Sequence, residues 1–504
     1  MVMHVFPSGK TRRLGQLTFL WDMPQLILPP KSPVGSPYHV VYIGSLLRRL
    51  PQQRDRRRRR PRDDRVSNIL SAIVGMLWLL AFQRIVIPLP DVFATTQVMV
   101  ALLVIFFVIS IPSLPRHTQV LCGVLVVVVA VLAGVYDQWK AVPDGISRAA
   151  IFPAFLSTIV LLRAAADQRQ EIVRARQLFG ALPASERDSG LVMATHLIGA
   201  LLQVGVFAII APILGKDATV EERRQVFTVS IRGMATVPFW SPFIVGMAVA
   251  SQYLPLVPLW QIITLGLVMT FVGFLISAAG FDRNPGVSRL FRALVSLAPV
   301  ALPVFIAALI VVGTTAFTGL STLQSLILAL PLPCMLAIYL APTGNVTKAL
   351  SQTAEGIGKL GPEISILVCA TTLGAVFEAA LPDSGLLGWL RVLDLPAWAV
   401  IFVVIFAMSI AGLFGVHAIV TGTFLLVVFT SVPTPVSDLI LMQALLVGWG
   451  LCSVISIGSL SIATGAAMFG IPPTDLVTRA NIAYVFLTSA VLGGMLTGLN
   501  STFL

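Results

Sequence analysis

Runs of apolar residues close to twenty long recur from residue 67 to residue 499, separated by short polar or Pro/Gly-containing joins. A helix needs about 20 such residues to cross the hydrocarbon core of a bilayer. The pattern predicts nine plain spans, at 67–87, 92–111, 119–135, 147–163, 258–280, 295–316, 322–341, 363–381 and 478–499. Three other apolar segments, 190–213, 226–256 and 396–471, are less simple. ATVPFWSPFIVGMAVA (235–250) sets Pro238, Trp240, Ser241 and Pro242 inside an apolar run, and SVISIGSLSIATG (453–465) sets Gly458, Ser459, Ser461, Thr464 and Gly465 inside another. Proline removes a backbone donor and disfavours a continuous helix. A broken helix is tolerated at membrane depth only where it faces protein or a water-filled cavity. Both stretches therefore read as built-in breaks.

The polar joins orient the spans, because loops rich in Lys and Arg stay in the cytoplasm. RDRRRRRPRDDR (54–65) places the N-terminus inside. Four spans then return the chain to the inside at 164–190, where Ile172, Ala175, Phe179 and Leu182 oppose Arg169, Arg174 and Arg176. That loop reads either as a helix lying along the interface or as a solvated linker helix. If 190–213 crossed fully, Lys216, Arg223, Arg224, Arg283, Arg289 and Arg292 would face outside. If 190–213 enters and returns as a re-entrant hairpin, all six move inside. With 396–431 as a second hairpin entered from outside, 16 of the 20 Lys/Arg beyond residue 65 lie inside, leaving Arg84, Lys140, Arg148 and Arg391 at the outer side. The expectation is eleven spans, N-terminus inside and C-terminus outside.

Composition agrees with a polytopic helical membrane protein and excludes a soluble enzyme: 57% of residues are hydrophobic and 11% charged, with a mean hydropathy of +0.92. The net charge of +12 does not point to nucleic acid. Residues 1–65 contribute 14 Lys/Arg against 4 Asp/Glu, and the rest of the chain 20 against 18. The basic segment 1–65 reads as an irregular cytoplasmic tail that fixes orientation beside anionic lipid, or as an over-extended gene start; it lacks the apolar core of a secretory signal. Cys122, Cys334, Cys369 and Cys452 lie far apart in apolar runs without metal-ligand spacing and read as small buried residues. There is no Walker A, HExxH or GxSxG pattern. No catalytic residue, metal site or cofactor is expected beyond a coupling proton or sodium ion.

The two breaks align with each other. VPFWSPFIVGMAVA (237–250) laid on VISIGSLSIATGAA (454–467) with one gap brings Ser241 to Ser459 and Gly246 to Gly465. His196 precedes Ser241 by 45 residues and His417 precedes Ser459 by 42. The order suggests two related halves, 67–280 and 295–500, each with a hairpin (190–213; 396–431) and a broken helix (226–256; 437–471). In the topology above they run in opposite senses, the inverted-repeat plan of many transporters. Half-helix ends at such breaks bind ions, N-termini attracting anions and unwound carbonyls holding cations. The candidate binding residues are Ser241, Pro242, Gly458, Ser459, Ser461 and Thr464, expected to converge on one site. Thr421, Gly422 and Thr423 join them from the tip SIAGLFGVHAIVTGTF (409–424); the inner tip offers His196, Gly199, Gln203 and Gly205. His196 and His417, at matching repeat positions, and Glu378, an acid within a span, are the candidates for proton coupling. Each has a structural alternative: a hydrogen-bonded histidine, or a carboxylate reaching the outer interface. Arg232, near the inner end of the first broken helix, reads as snorkelling to lipid phosphate or as holding an anion.

On this arrangement the chain resembles the ion transporter superfamily, which includes divalent-anion/sodium symporters, citrate and arsenite permeases and the large subunits of TRAP transporters. The resemblance spans about 67–500. It implies a dimeric, all-α fold of eleven core spans in two inverted repeats, each with a re-entrant hairpin and a broken helix. Symporters of this group carry Ser-Asn-Thr motifs at the hairpin tips; here the tips read ATHLIGA and HAIVTGT, without the asparagine. The resemblance implies a secondary active permease for a small anion, organic acid or oxyanion, driven by a proton or sodium gradient, in a bacterial-type inner membrane. The alternatives are an integral membrane enzyme for a lipid-linked substrate and a permease subunit that needs a soluble binding protein.

Overall fold

A computed structural model describes residues 61–87, 95–168, 187–215, 217–282, 287–341 and 344–503. The basic tail before residue 61, most of the polar loop at 164–190 with its Ile172–Leu182 face, Lys216 and Arg283 lie outside the described residues. The described residues are 84% helical, with no strand among them. In order, the helices are α1 (Pro61–Val86), α2 (Thr95–Ser110), α3 (Arg116–Val135), α4 (Ala141–Ala149), α5 (Phe152–Ala166), α6 (Arg187–Leu202), α7 (Val206–Ile210), α8 (Val220–Ala235), α9 (Val245–Tyr253), α10 (Leu259–Gly280) and α11 (Val287–Thr318). They continue as α12 (Thr322–Ala329), α13 (Pro331–Leu340), α14 (Val346–Ile357), α15 (Gly361–Ala380), α16 (Leu386–Leu393), α17 (Ala397–Leu413), α18 (Ala418–Ser431), α19 (Asp438–Ile455), α20 (Leu460–Phe469), α21 (Pro473–Leu476) and α22 (Arg479–Phe503).

Eleven helical segments of the described chain are long and apolar enough to cross a membrane, so this is a helical multi-pass membrane protein. The count equals the expected one, but its membership differs. Asp188–Ile210 qualifies by length and hydropathy. The stretch from Val220 to Tyr253 does not: it opens on Glu221, Glu222, Arg223 and Arg224 and is interrupted between α8 and α9. The span expected at 147–163 is Ala141–Ala166, made of α4 and α5 end to end.

Burial separates centre from periphery. Ala141–Ala166 and Asp438–Phe469 are each 89% buried over their most apolar window, whereas Val66–Val86 and Thr95–Ser113 are 22% buried. The outer helices present Val, Leu and Ile to the surroundings on one face, as a bilayer requires, and the inner ones pack on protein all round. The interrupted segments thus lie in the core of the bundle.

Three registers define how that core is arranged. Along α6 and α8, Gln225 Nε2 donates to Asp188 Oδ2 at 3.4 Å, Gly233 lies against Val192, and His196 Nδ1 meets Thr236 Oγ1 at 2.9 Å. The contacts climb both helices together, so α6 and α8 run parallel. Along α17 and α19, Gly448 packs on Ile405 and Met408, and Gly412 packs on Cys452 and Ser456. These two also run parallel. Between α8 and α19, by contrast, Gly450 lies against Ala235 O while Gln443 Nε2 donates to Phe239 O at 3.0 Å, so this pair is antiparallel. Further on, Gly465 of α20 meets Phe227 of α8, and Gly246 of α9 faces the Trp449 ring of α19.

Candidate functional site

The first break runs from Thr236 to Ile244: a 3-10 turn over Val237–Phe239, then non-helical backbone through Trp240, Ser241, Pro242 and Phe243. All of these through Phe243 are buried. Backbone groups freed there need partners because no water replaces them in a closed core. Three carbonyls find side chains from three different elements. Thr236 O accepts from Thr270 Oγ1 at 3.1 Å, Phe239 O from Gln443 Nε2 at 3.0 Å, and Phe243 O from Gln203 Nε2 at 2.9 Å. Ser241 Oγ accepts locally from Phe243 N at 3.3 Å. The half-helix α9 then starts at Ile244 with no side chain capping its first N–H groups.

The second break, Ser456 to Ser459, is built differently. Ser459 caps α20, its Oγ accepting from Ile462 N at 3.2 Å and donating to Ser453 O at 3.0 Å. Gly458 lies against the Gly415 backbone. Ile457 and Gly458 are exposed and Ser459 is half-buried, so this break opens to the surface while the first is enclosed. Ser461 is buried and Thr464 half-buried on α20.

Each break meets the turn that precedes it in its own half. Gln203, at the end of α6, has φ +51°, a left-handed conformation that costs a non-glycine residue strain, and its amide reaches Phe243 O. Gly415, φ +79°, makes the turn between α17 and α18 and touches Gly458. His417 follows as the N-cap of α18, its Nδ1 accepting from Ile419 N at 3.2 Å. Thr421 and Gly422 lie on the same helix, Gly422 against Trp449; Thr423 lies against Gly374 of α15, where Tyr253 also arrives. The antiparallel register of α8 and α19 staggers the two breaks. Carrying the Gly450–Ala235 contact along α19 sets break two opposite about residues 226–229 of α8, roughly 10–15 Å from the start of break one at Thr236 at about 1.5 Å per residue. Ser241 and Ser459 therefore stand at successive levels, each with its own turn.

The histidines do not occupy matching positions. His196 sits mid-helix in α6, where Nε2 accepts from the Trp240 indole N–H at 3.1 Å. That bond assigns the proton to Nδ1, which donates to Thr236 Oγ1, which in turn donates to Gly233 O at 2.8 Å. A second ring proton would point at an indole donor, so the network fixes a neutral imidazole that ties α6 to the break. His417 is at a helix start instead. Glu378 is half-exposed and paired with Arg148 Nη1 at 2.5 Å, tying α15 to α4.

Arg232 corrects the snorkelling expectation: it is 1% exposed. Its Nε donates to Asn481 Oδ1 at 2.9 Å and its Nη1 to Phe281 O at 3.1 Å, while Asp282 Oδ1 lies 4.0 Å away and the Phe281 and Tyr484 rings flank the guanidinium. Phe281, Asp282, Asn481 and Tyr484 fold onto it from the ends of α10 and α22, which satisfies the charge where no lipid phosphate is within reach. Burial pushes the Asp282 carboxyl up to about 6, opposed by hydrogen bonds from Ser189 and Ser277 and by Arg232.

Two polar residues that the hydropathy pattern passed over are buried in part, and one of them reaches the first turn. Arg163, in the last turn of α5, donates through Nη2 to Gln203 Oε1, and its Nε is buried without a partner. Glu363, in the first turn of α15, has a buried, unpartnered Oε2 and feels the Arg163 charge. The available signal is position: Arg163 directly follows an otherwise apolar run. No group of His, Cys, Asp and Glu among the described residues is arranged to hold a metal ion. No protein-family model matches this chain, and no curated protein matches it in sequence.

Proposed function

We propose that the chain is a secondary active transporter for a small anion, an organic acid or an oxyanion, driven by a proton or sodium gradient. The observation that carries this reading is the pairing of each broken helix with a parallel apolar helix from its own half. Two parallel neighbours joined by a short link need a return path, and 203–219 and 414–437 supply it. We read the chain here as re-entrant hairpins over 190–213 and 396–431. The antiparallel crossing of α8 and α19 supports reading the two halves as an inverted pair. Broken helices and hairpin tips that meet inside a helical bundle are the architecture of ion and substrate sites in transporters. In this reading 190–256 and 396–471 form a transport domain that moves against a scaffold of the remaining spans. A homodimer in a bacterial-type inner membrane, N-terminus inside, follows from the same resemblance and from the charge of the loops.

The enclosed first break and the open second break favour one-sided access, as a carrier requires. The test is uptake into proteoliposomes that contain this protein alone. Accumulation of an anion that follows an imposed proton or sodium gradient supports transport; product formation without a gradient supports the membrane-enzyme alternative. Uptake that appears only after a soluble binding protein is added supports the subunit alternative. Ser459→Leu separates the site from the fold, since the half-buried Ser459 beside exposed Gly458 has room that the enclosed Ser241 lacks. Abundance should remain and transport be lost; unchanged transport removes the second break from the mechanism.

A further inference from the structure

Among the described residues the tryptophans divide by exposure. Trp240 and Trp449 are buried in the core and Trp78 is half-buried on α1, whereas Trp139, Trp260, Trp389 and Trp398 are each more than half exposed. The four exposed rings belong to one end of the bundle. α3 and α15 run side by side in the same direction, since Gly361 meets Leu114 just before α3, and Val376 clusters with Val129 and Ala133 near its end. Trp139 follows α3, and Trp389 stands on α16, just after α15. α17 opens shortly after α16, with Trp398 as its second residue. Tyr253, the last residue of α9, reaches Gly374 in the later half of α15, and α10 then opens with Trp260 in its first turn.

Two of these rings end a face that lipid already covers. On α10, Trp260, Thr264, Val268 and Phe271 are all exposed and recur at helical spacing, so they share one face. Along α3, Val124, Val128, Val131 and Val135 form such a face and lead to Trp139, whose ring lies against Gly134. Both helices are membrane spans, so their exposed apolar faces meet acyl chains. A tryptophan at the end of such a face sits where acyl chains give way to headgroups, because its ring is apolar and its indole N–H seeks an acceptor.

The short helix α16 lies at this same end. Its sequence LLGWLRVL is mostly apolar, yet none of its described side chains is buried. At about 1.5 Å per residue it is about 12 Å long, too short to cross a bilayer. Gly385 at φ +72° and Asp394 at φ +39° turn the chain sharply at its two ends. Leu386 and Leu390, one turn apart, are half-buried, Leu390 against the core, while Trp389, Val392 and Leu393 form an exposed face.

We propose that α16 lies in the plane of the membrane, its Trp389, Val392 and Leu393 face sunk about 5–10 Å into the acyl–headgroup boundary of phospholipid. Trp139, Trp260 and Trp398 mark the same level beside α3, α10 and α17. On the charge of the loops this is the outer leaflet. Lipid is favoured over a protein partner because a docking surface on α16, for a second copy or for a soluble protein, would not call for tryptophans at the ends of α3 and α10 as well. The placement holds whether or not the chain transports.

The test is the tryptophan fluorescence of the full-length protein in phosphatidylcholine vesicles whose acyl chains carry bromine either near the headgroup or near the chain terminus. Bromine near the headgroup should quench more. Trp389→Phe, an exposed ring exchanged for a smaller one, should remove about a quarter of that quenched emission, as one ring of four at one level. Trp139→Phe, Trp260→Phe and Trp398→Phe should each do the same. Aqueous iodide, tested in parallel, should lose little of its quenching in any of them. Stronger quenching of the Trp389 share by the deep bromine places α16 at membrane depth and overturns the proposal. A Trp389 share quenched by iodide and not by bromine shows a face turned to water, open to a soluble partner, and overturns it too. A share quenched by neither shows a face covered by protein, and overturns it in favour of a second copy.

Discussion

Gly233→Ala probes the parallel packing of α6 and α8 on which the functional reading stands. A Cβ at Gly233 would fall well under 3.0 Å from Val192 O and Thr195 Oγ1, closer than real Cβ atoms approach a neighbour. The main obstacle is a backbone carbonyl, which has no rotamer to yield, so the helices must part. A gap of about 1 Å along a packed seam forfeits up to half of each dispersion contact there. Overpacking of this kind costs about 1–3 kcal/mol, and a backbone-to-backbone clash belongs at the upper end. Alanine returns up to about 1 kcal/mol through its better helix propensity, which leaves a net loss of about 2 kcal/mol. Gly123, within α3, has nothing within 4 Å of its Cβ position, so Gly123→Ala gains the propensity without the clash. The assay is the melting profile of detergent-solubilised protein by fluorescence-detected size exclusion, the two variants side by side. Gly233→Ala should melt below wild type and Gly123→Ala at or above it. If both match or exceed wild type, α6 and α8 do not pack in this register and the hairpin argument fails with it.

Trp240→Phe keeps a ring in the break but leaves His196 Nε2 without its donor; an unsatisfied buried acceptor costs about 1–3 kcal/mol, read as a lower melting temperature that is not restored by raising pH. The Asp282 carboxyl makes stability depend on pH in a stated direction. Raised from 3.8 to about 6, it keeps a proton in the folded state that the unfolded state has lost, so stability falls as pH rises through that window, by roughly 3 kcal/mol in all. Asp282→Asn should flatten that part of the pH–melting profile; an unchanged slope assigns it to other groups.

How far the sequence could be read depended on the range of the interaction. Helices facing lipid carry their own evidence, because a bilayer demands about twenty apolar residues in one run, and α1 to α3 and α22 lie close to where hydropathy put them. The break at Pro238 and Pro242 was legible for a similar reason: proline acts on its own helix. The turn at Gln203 was not legible from hydropathy, since Asp188–Ile210 has the length and character of a span. Only the positions of Lys216, Arg223 and Arg224 argued against a crossing. Partners distant in sequence were out of reach. Nothing local to Arg232 announces Asp282, Asn481 and Tyr484, and nothing local to Arg163 announces Gln203 and Glu363. The apparent match of His196 with His417 failed for the complementary reason: similar spacing from two serines does not give two residues the same place when one lies within the helix before the Gln203 turn and the other caps the helix after the Gly415 turn.

The difference between the two breaks bears on how such a carrier would work. If the halves were equivalent, both unwound segments would be satisfied in the same manner. Instead the first is held by side chains from α6, α10 and α19, so any movement of α8 and α9 must exchange those three hydrogen bonds together. Break two is satisfied almost entirely from within, by Ser459 and Ser453 on one stretch of chain, and needs little from its neighbours. A segment that carries its own hydrogen bonds can change surroundings at small cost, whereas one that borrows them is fixed until replacements are in place. The second break is thus the one that meets the surface, and the first the one locked to its neighbours. Gln203 sits at the junction, with one end on the borrowed Phe243 carbonyl and the other on Arg163.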